Sequence, residues 1–460
     1  MRIVMIGAGY VGLTTGACLA ELGHDVTCQD LDEARIAQLR AGKCPIFEPG
    51  LDDLIARNSA CGRLNFTSDP GEHLAEADIV FIAVGTPTLA SGDIDLSYIE
   101  AAGRAIAPVI KSGAVIVVKS TVVAGTCRWL REVVAEARGG LDFALASNPE
   151  FLREGSAVND FLDPDRVVLG TDDPRTCSVL LELYQPLAER GVPVLCTTTT
   201  NAELIKYASN AMLALRIGFI NDVADLCEEV AGDVEVVARG VGLDKRIGPA
   251  FLKAGPGFGG SCFPKDTKAF AAIGRAHGRP QTLIEALITK NEARKRRLAQ
   301  RVLDEIGARA RGKRVAVLGL TFKAGTNDMR ESPSLSIIPA LQEAGVKVTA
   351  FDPKAGLEAQ RLLPGVTLCD DPYEAAEDAD AVLVLTDWSE IRSLDLDRLA
   401  QVMSGRLLAD YRNLFSAEAV LSAGLRHISI GRPALASEPA PDTSRVPVRA
   451  GAERSAASSS

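Results

Sequence analysis

Two doubly wound α/β units joined by a long helical segment are the fold that this sequence predicts. Three observations carry the expectation. Short apolar runs alternate with helical stretches from Met1 to about residue 199, apolar residues then recur every three or four positions for some thirty residues, and from residue 313 the first rhythm returns. Apolar runs of strand length between helical stretches mark a parallel sheet covered on both faces. A three-to-four periodicity marks a helix with a buried stripe.

In chain order, RIVMIGAG, HDVTCQD, ADIVFIAVGTP, GAVIVVKST, FALASNPEF and RVVLGT supply the strands of a first unit over 1–199. NAELIKYASNAMLALRIGFINDVADLCEEVA carries no strand signal and opens a helical unit expected over 200–300. A helix of that length projects beyond one domain, so it connects the two sheets and offers a face to a second subunit; helical spacing alone fits packing within the chain equally well. KRVAVLGLTF, VKVTAFDP, ADAVLVLTDW and RLLADYRN predict a second, smaller sheet within 311–432. The segment 433–460 is rich in Pro, Ala and Ser and poor in large apolar residues, which predicts disorder.

A chain of 460 residues exceeds a single core. With 47% hydrophobic and 24% charged residues it has the composition of a soluble protein, and no apolar run approaches the ~20 residues of a membrane span. The N-terminus lacks the basic start and cleavage site of a secretory signal, so a cytoplasmic location is expected. A net charge of -10 argues against nucleic acid as a partner. The one dense basic run, KNEARKRR at 290–297, is expected on a solvated helix face. Ten scattered cysteines, with no CxxC pair and no Cys/His cluster, suggest neither a metal site nor a disulfide framework, and free thiols are expected.

GAGYVG at 7–12 follows the first strand and opens a helix, the context in which a GxGxxG pattern binds a dinucleotide. Gly7 permits the tight turn, Gly9 lets a pyrophosphate approach the backbone, and Gly12 lets the helix pack closely; Tyr10 and Val11 lie within the same turn. Asp30 follows the second strand, where a carboxylate bonds the ribose hydroxyls and repels a 2′-phosphate, so NAD is expected over NADP. Arg35 is the residue type that accommodates such a phosphate, and it stands close by.

The stretch GPGFGGSCFPKD, 255–266, surrounds Cys262 with four glycines and two prolines. Such a loop holds an unusual backbone and leaves space beside the thiol; taken alone, it is equally a tight turn around a core cysteine. Glu150 with Glu154, Lys206 with Asn210, and Cys262 with Asp266 are each four residues apart, which puts both members on one face wherever the segment is helical. Lys206 and Asn210 stand out because they interrupt an apolar helix. The second α/β unit lacks the dinucleotide spacing. Its GLTFKAGTNDMRESPS carries Lys323 and Arg330 in an expected loop at a strand's carboxyl end, as phosphate ligands or as surface charges.

GAGYVG, VGTP, KSTV, NPEFLREG, KYASNAML, FLKAGPGFGGSCFPKD and FKAGTNDMRESPS, in this order over about residues 1–430, resemble the signatures of the UDP-glucose/GDP-mannose dehydrogenase family. The resemblance implies an NAD-dependent enzyme with two Rossmann-like domains that takes a primary alcohol of a nucleotide sugar to a carboxylate by two hydride transfers. UDP-glucose is the favoured sugar, with GDP-mannose or a UDP-N-acetylhexosamine as alternatives. It makes Cys262 a nucleophile that carries the sugar as a thiohemiacetal and then a thioester. Lys206 and Asn210 would stabilise oxyanions, Asp266 and Thr121 would order a water, and Glu150 would serve as general base in hydrolysis. Thr86, Thr121, Glu154 and Arg330 are expected at the cofactor. Phe151, Leu152, Glu154, Lys206, Asn210, Phe251, Lys253, Gly259 and Lys323 are expected at the nucleotide sugar, and Arg246 would reach it from the partner in a homodimer.

Overall fold

Eight strands, β1 (Arg2–Ile6), β2 (Asp25–Gln29), β3 (Leu64–Thr67), β4 (Ile79–Ile82), β5 (Val115–Val118), β6 (Ala144–Ser147), β7 (Val167–Gly170) and β8 (Val194–Thr197), form one sheet. Their spatial order is β3-β2-β1-β4-β5-β6-β7-β8. The computed structural model describes residues 1–89, 92–140, 142–307 and 310–433, so all but the first residue of the expected tail, 433–460, lies outside the described residues. Parallel pairing runs through this sheet except where β6 meets β7 antiparallel, Ser147 opposite Gly170. The centre is formed by IVFI in β4 and VIVV in β5, buried throughout because separate apolar clusters cover the two faces of the sheet.

A second sheet contains β9 (Arg314–Leu318), β10 (Lys347–Phe351), β11 (Thr367–Cys369), β12 (Ala381–Val384), β13 (Leu407–Asp410) and β14 (Arg426–Ser429). It is parallel throughout, in the order β11-β10-β9-β12-β13-β14. In both sheets the chain reverses its direction of winding beside the first strand, the point at which open α/β sheets bind ligands beyond their carboxyl ends.

A 32-residue helix, Thr199–Val230, links the two sheets. It starts where the Thr198 side chain accepts the Asn201 N–H and stops at Ala231, which takes the left-handed conformation (φ 57°). Near its start it lies so close to β7 that a Cβ on Gly170 would stand 2.4 Å from that of Ala202. Towards its end Ile220, Ala224 and Cys227 join Leu298, Ala299 and Val302 of the helix Thr282–Ile306 in the core of the second sheet. That second helix runs on past residue 300 because Val302 and Ile306 are buried there. No helix among the described residues is long and apolar enough to cross a membrane.

Two expectations are corrected. KNEARKRR is helical, but only part of it faces solvent: Lys290, Ala293, Arg296 and Arg297, with Glu292 half-exposed. Asn291, Arg294 and Lys295 are buried, with Arg294 paired to Asp225 and bonded to the Gly255 carbonyl, and Lys295 paired to Glu292. Asn291 both accepts the Phe258 N–H and donates to its carbonyl, so this face of the run clamps the glycine-rich loop. The cysteines are not all free either: Cys177, in the helix Pro174–Leu183, is disulfide-bonded to Cys196 of β8, and eight thiols remain. Packing of that helix beside the last strand brings the two together, which their 19-residue separation does not disclose.

Candidate active site

The glycine turn has the geometry its spacing predicts. Gly7 is left-handed (φ +99°), and a Cβ there would meet the Ala83 carbonyl oxygen at 2.6 Å. A Cβ on Gly12, in the helix Tyr10–Glu21, would fall 1.9 Å from the Gly7 carbonyl oxygen, whereas one on Gly9 would meet nothing within 4 Å. The chain is therefore close-packed at the two outer glycines and open at the middle one, as a pyrophosphate resting on a helix N-terminus requires. Asp30 accepts the Ala8 and Asp32 N–H groups and is paired with Arg35 at 2.8 Å. Arg35 thus pairs with the Asp30 carboxylate rather than standing free for a phosphate. Tyr10 donates its hydroxyl to Glu48, which reasoning from sequence missed. Glu48, itself buried, also accepts the N–H groups of Gly155 and Ala157 at 2.7 Å each, tying the dinucleotide turn to the loop that carries Glu154.

The second sheet repeats this plan with a different outcome. Asp352, just beyond β10, accepts from the Leu320 and Thr321 N–H groups, the Thr321 hydroxyl and the Trp388 indole through one oxygen, and from the Lys354 and Ala355 N–H groups through the other. No capacity remains on it for a ribose.

Lys206, Asn210, Glu150, Asp266 and Cys262 come together. On the long helix, Glu203, Lys206 and Asn210 fall on one buried stripe. Glu203 accepts the Gly125 and Cys127 N–H groups at the start of the helix Thr126–Arg138 and fixes the stripe against the first sheet. Lys206 donates to the Glu150 carboxylate at 2.8 Å and to its carbonyl at 2.7 Å, with the two side chains only 3% and 7% exposed. Asn210 donates to Asp266 at 2.6 Å, and Lys265 holds the other Asp266 oxygen at 2.7 Å. Cys262 stands before the first turn of the helix Phe263–Ala276, whose Pro264 suits that position because the N–H it lacks would be unpaired there.

Burial is the largest influence on Lys206 and opposes its charge, but Glu150, Cys262 and Asp266 reverse it and hold the ammonium above its ordinary range. Burial likewise pushes Glu150 up, and Lys206, the Leu152 N–H and Lys119 more than cancel it, leaving the carboxylate below its usual range. For Cys262, burial raises the thiol and Lys206 and Ser261 lower it; the balance stays above the ordinary value. Behind Glu150, Lys119 is buried against Asn148 and is lowered to about 8 by that burial.

Three of the loop's glycines are explained by close approach. Gly257 and Gly260 are left-handed, and a Cβ on Gly260 would strike the Phe322 ring at 2.7 Å; one on Gly259 would strike the Glu331 carbonyl oxygen at 2.4 Å. Glycine lets the cysteine loop lie against the second sheet's first loop. Between them opens a cavity of about 790 Å³, lined by the predicted Phe151, Leu152, Glu154, Lys206, Asn210, Phe251, Lys253, Gly259, Cys262 and Lys323. Its size and mixed lining suit a nucleotide sugar.

The remaining predicted residues stand elsewhere. Glu150 and Asp266 lie behind this lining, bonded to Lys206 and Asn210. Thr86 and Thr121 stand beyond the carboxyl ends of β4 and β5. Arg330 bonds Glu154 from the second sheet's loop. Arg246, its side chain 88% exposed and paired with Asp244, is outside the cavity. The expected helical face for Glu150 and Glu154 is not found: the segment is a loop, and Glu150 serves Lys206 while Glu154 binds Ser261, Thr326 and Arg330.

Three lining arginines were missed, one of them Arg153, which is paired with Asp160. Arg166 places its guanidinium 3.9 Å from the centre of the Phe151 ring. Phe151 follows β6 and Arg166 precedes β7, so the antiparallel meeting of those strands at Ser147 and Gly170 brings the two residues together, but sequence does not announce an antiparallel pair in a parallel sheet. Arg412, in a loop after β13, donates to the Leu385 and Phe322 carbonyls; its position at a strand's carboxyl end was the available signal.

Comparison with known proteins matches three family models: the NAD binding domain of the UDP-glucose/GDP-mannose dehydrogenase family over residues 1–188, its central domain over 200–293, and its UDP binding domain over 316–417. The chain is 50% identical to a UDP-glucose 6-dehydrogenase of Rhizobium meliloti (strain 1021), over 94% of this chain and 100% of that one. It is 46% identical to the UDP-glucose 6-dehydrogenase TuaD of Bacillus subtilis (strain 168), over 94% of each. A solved UDP-glucose dehydrogenase from the hyperthermophilic archaeon Pyrobaculum islandicum superposes with a TM-score of 0.85 at 41% identity, covering 91% of this chain and 95% of that one.

Proposed function

The chain belongs to the UDP-glucose/GDP-mannose dehydrogenase family, and from that premise we propose that it oxidises UDP-glucose to UDP-glucuronate with two molecules of NAD. The observation that carries this reading is the buried ammonium of Lys206, set among Glu150, Asn210, Asp266 and Cys262 at a cavity reaching from the first sheet's loops to the second's. Gly7, Gly9, Gly12 and Asp30 have the packing and the opening to hold NAD, whose nicotinamide accepts a hydride from the sugar in each oxidation. We further propose the chain's division as a dinucleotide-binding unit (1–199), a helical unit (200–300) and a UDP-sugar unit (311–432).

The residues then act as follows. Lys206 and Asn210 bond the oxygen of the alcohol being oxidised and stabilise the negative charge it gains as its proton passes to the water ordered by Asp266 and Thr121; a hydride then leaves the carbon and an oxygen lone pair closes the aldehyde C=O. The Cys262 thiolate attacks the resulting aldehyde: a C–S bond forms, and the carbonyl π pair becomes an oxyanion held by the same two donors. Loss of the second hydride turns this adduct into a thioester. Glu150, ionised at neutral pH because of Lys206, takes a proton from the attacking water; the C–S bond breaks and its electron pair returns to sulfur. Asp266 orients the Asn210 amide and, with Thr121, orders water. Two NADH per UDP-glucose are expected when sugar is limiting and NAD is in excess. GDP-mannose or UDP-N-acetylglucosamine giving two while UDP-glucose gives none would overturn the substrate, and one NADH from every sugar would overturn the four-electron reaction.

A homodimer completes the proposed site. Met212, Phe219 and Leu226 are exposed at seven-residue steps along the long helix, joined by Val230, so an apolar stripe lies open. Its pairing with a second copy would bring Arg246 to the partner's sugar. Replacing Phe219 and Leu226 together with aspartate is expected to halve the mass in sedimentation velocity and to remove turnover while NAD binding persists. A wild-type chain that is monomeric and active would refute this.

A further inference from the structure

Ser261 stands between the nucleophile and a buried carboxylate. Its Oγ donates to Glu154 Oε1 at 2.9 Å and lies 3.5 Å from Cys262 Sγ. A hydroxyl carries one proton and two lone pairs, so with its proton on Glu154 it presents a lone pair to the thiol. The other groups near the thiol are poorly placed to take its proton. Lys206 is already an ammonium, Glu150 is bonded to Lys206 and the Leu152 N–H, and Asp266 is bonded to Asn210 and Lys265. Glu154 differs in being linked to the thiol through Ser261; its side chain is 10% exposed, Thr326 donates to its second oxygen at 3.0 Å, and Arg330 approaches the first at 3.3 Å.

We propose that Ser261 relays the thiol proton of Cys262 to Glu154, a step that rests on the reading of Cys262 as nucleophile. The S–H bond breaks and leaves its electron pair on sulfur. The proton passes to Ser261 Oγ as the proton already there passes to Glu154 Oε1. The products are a thiolate, a serine hydroxyl that now donates to it, and a neutral carboxylic acid; nothing is oxidised and the net charge is unchanged. Lys206, Lys323 and Arg330 favour the thiolate, whereas Glu150 and Asp266 oppose it. At the other end burial and then Asp328 raise Glu154 against the pull of Ser261, Arg330 and Thr326; Lys323 and the Tyr10 hydroxyl also face it. Thr326 and Arg330 belong to the second sheet's loop, so arming the thiol depends on that loop being in place.

The test needs neither coenzyme nor sugar, so it separates failure of the relay from failure of the proposed reaction. Iodoacetamide alkylation of Cys262, read by mass spectrometry on the tryptic peptide Ala254–Lys265, is followed against pH in the wild type, S261A, S261T and E154Q. Internal transfer keeps a fixed share of thiolate while Glu154 is ionised, so the wild-type rate should level off below the thiol pKa. In E154Q it should fall about tenfold per pH unit with no plateau. S261A should lower the plateau about tenfold, as loss of a hydrogen bond to a charged group does, and S261T should restore it. An E154Q or S261A profile that superimposes on the wild type overturns the relay; should S261A fail to fold, E154Q and S261T decide it.

Discussion

Replacing Cys262 with alanine is expected to stop UDP-glucuronate formation, lowering its rate by a factor on the order of 10³ or more, the scale on which loss of a covalent nucleophile falls. On the proposed route, the first hydride transfer does not need the thiol. Lys206 and Asn210 remain to hold the alcohol oxygen, so some NADH should still appear in a single turnover. Without the C–S bond, however, nothing in the cavity fixes the aldehyde in place for a second transfer. The measurement is NADH formed per limiting UDP-glucose, with chromatography of the nucleotide sugar. Two NADH per sugar at near wild-type rate in the variant would mean that the aldehyde hydrate is oxidised directly, and the covalent route would be wrong.

Lys206→Met should be nearly as damaging, for two separable reasons. Removing a preorganised donor from a developing oxyanion costs about 10² to 10³ in turnover. Removing one partner of a buried pair also leaves Glu150 ionised and uncompensated, which costs about 3 to 5 kcal/mol of stability. The double variant Lys206→Met with Glu150→Gln should regain most of the stability, because the orphaned charge is gone, yet none of the turnover. Urea unfolding and steady-state rates on the single and double variants distinguish the two effects. A single variant as stable as the wild type would show that Lys119 alone suffices to hold the Glu150 charge.

The central strands were legible because both of their faces are buried, so IVFI and VIVV read as unbroken apolar runs. The edges were not. β3 and β14, LNFT and RHIS, mix polar residues into strands that are mostly buried, and β8 and β11 are short and largely uncovered. Within the site, Gly7, Gly9, Gly12 and the pair Lys206 and Asn210 could be found because their spacing is itself their geometry. Arg166, Glu48 and Ser261 could not. Each acts across chain distance, through an antiparallel register, a loop tied to the glycine turn, or a hydroxyl bonded to a carboxylate 107 residues away. The cysteine loop lies between these cases. Its composition announced an unusual backbone, but that Gly260 makes way for the Phe322 ring is evident only once the sheets are assembled.

Asp352 gives the reaction its traffic pattern. With its oxygens occupied by the chain itself, Asp352 is no counterpart to Asp30 in the second sheet, whereas the Gly9 opening beside Asp30 is free. On the proposed reaction, both oxidations would use that one opening in turn. The clock on the half-oxidised sugar would then be set by how quickly one coenzyme departs and the next arrives, and the proposed C–S bond would lengthen the wait of a tethered passenger instead of losing it to solvent.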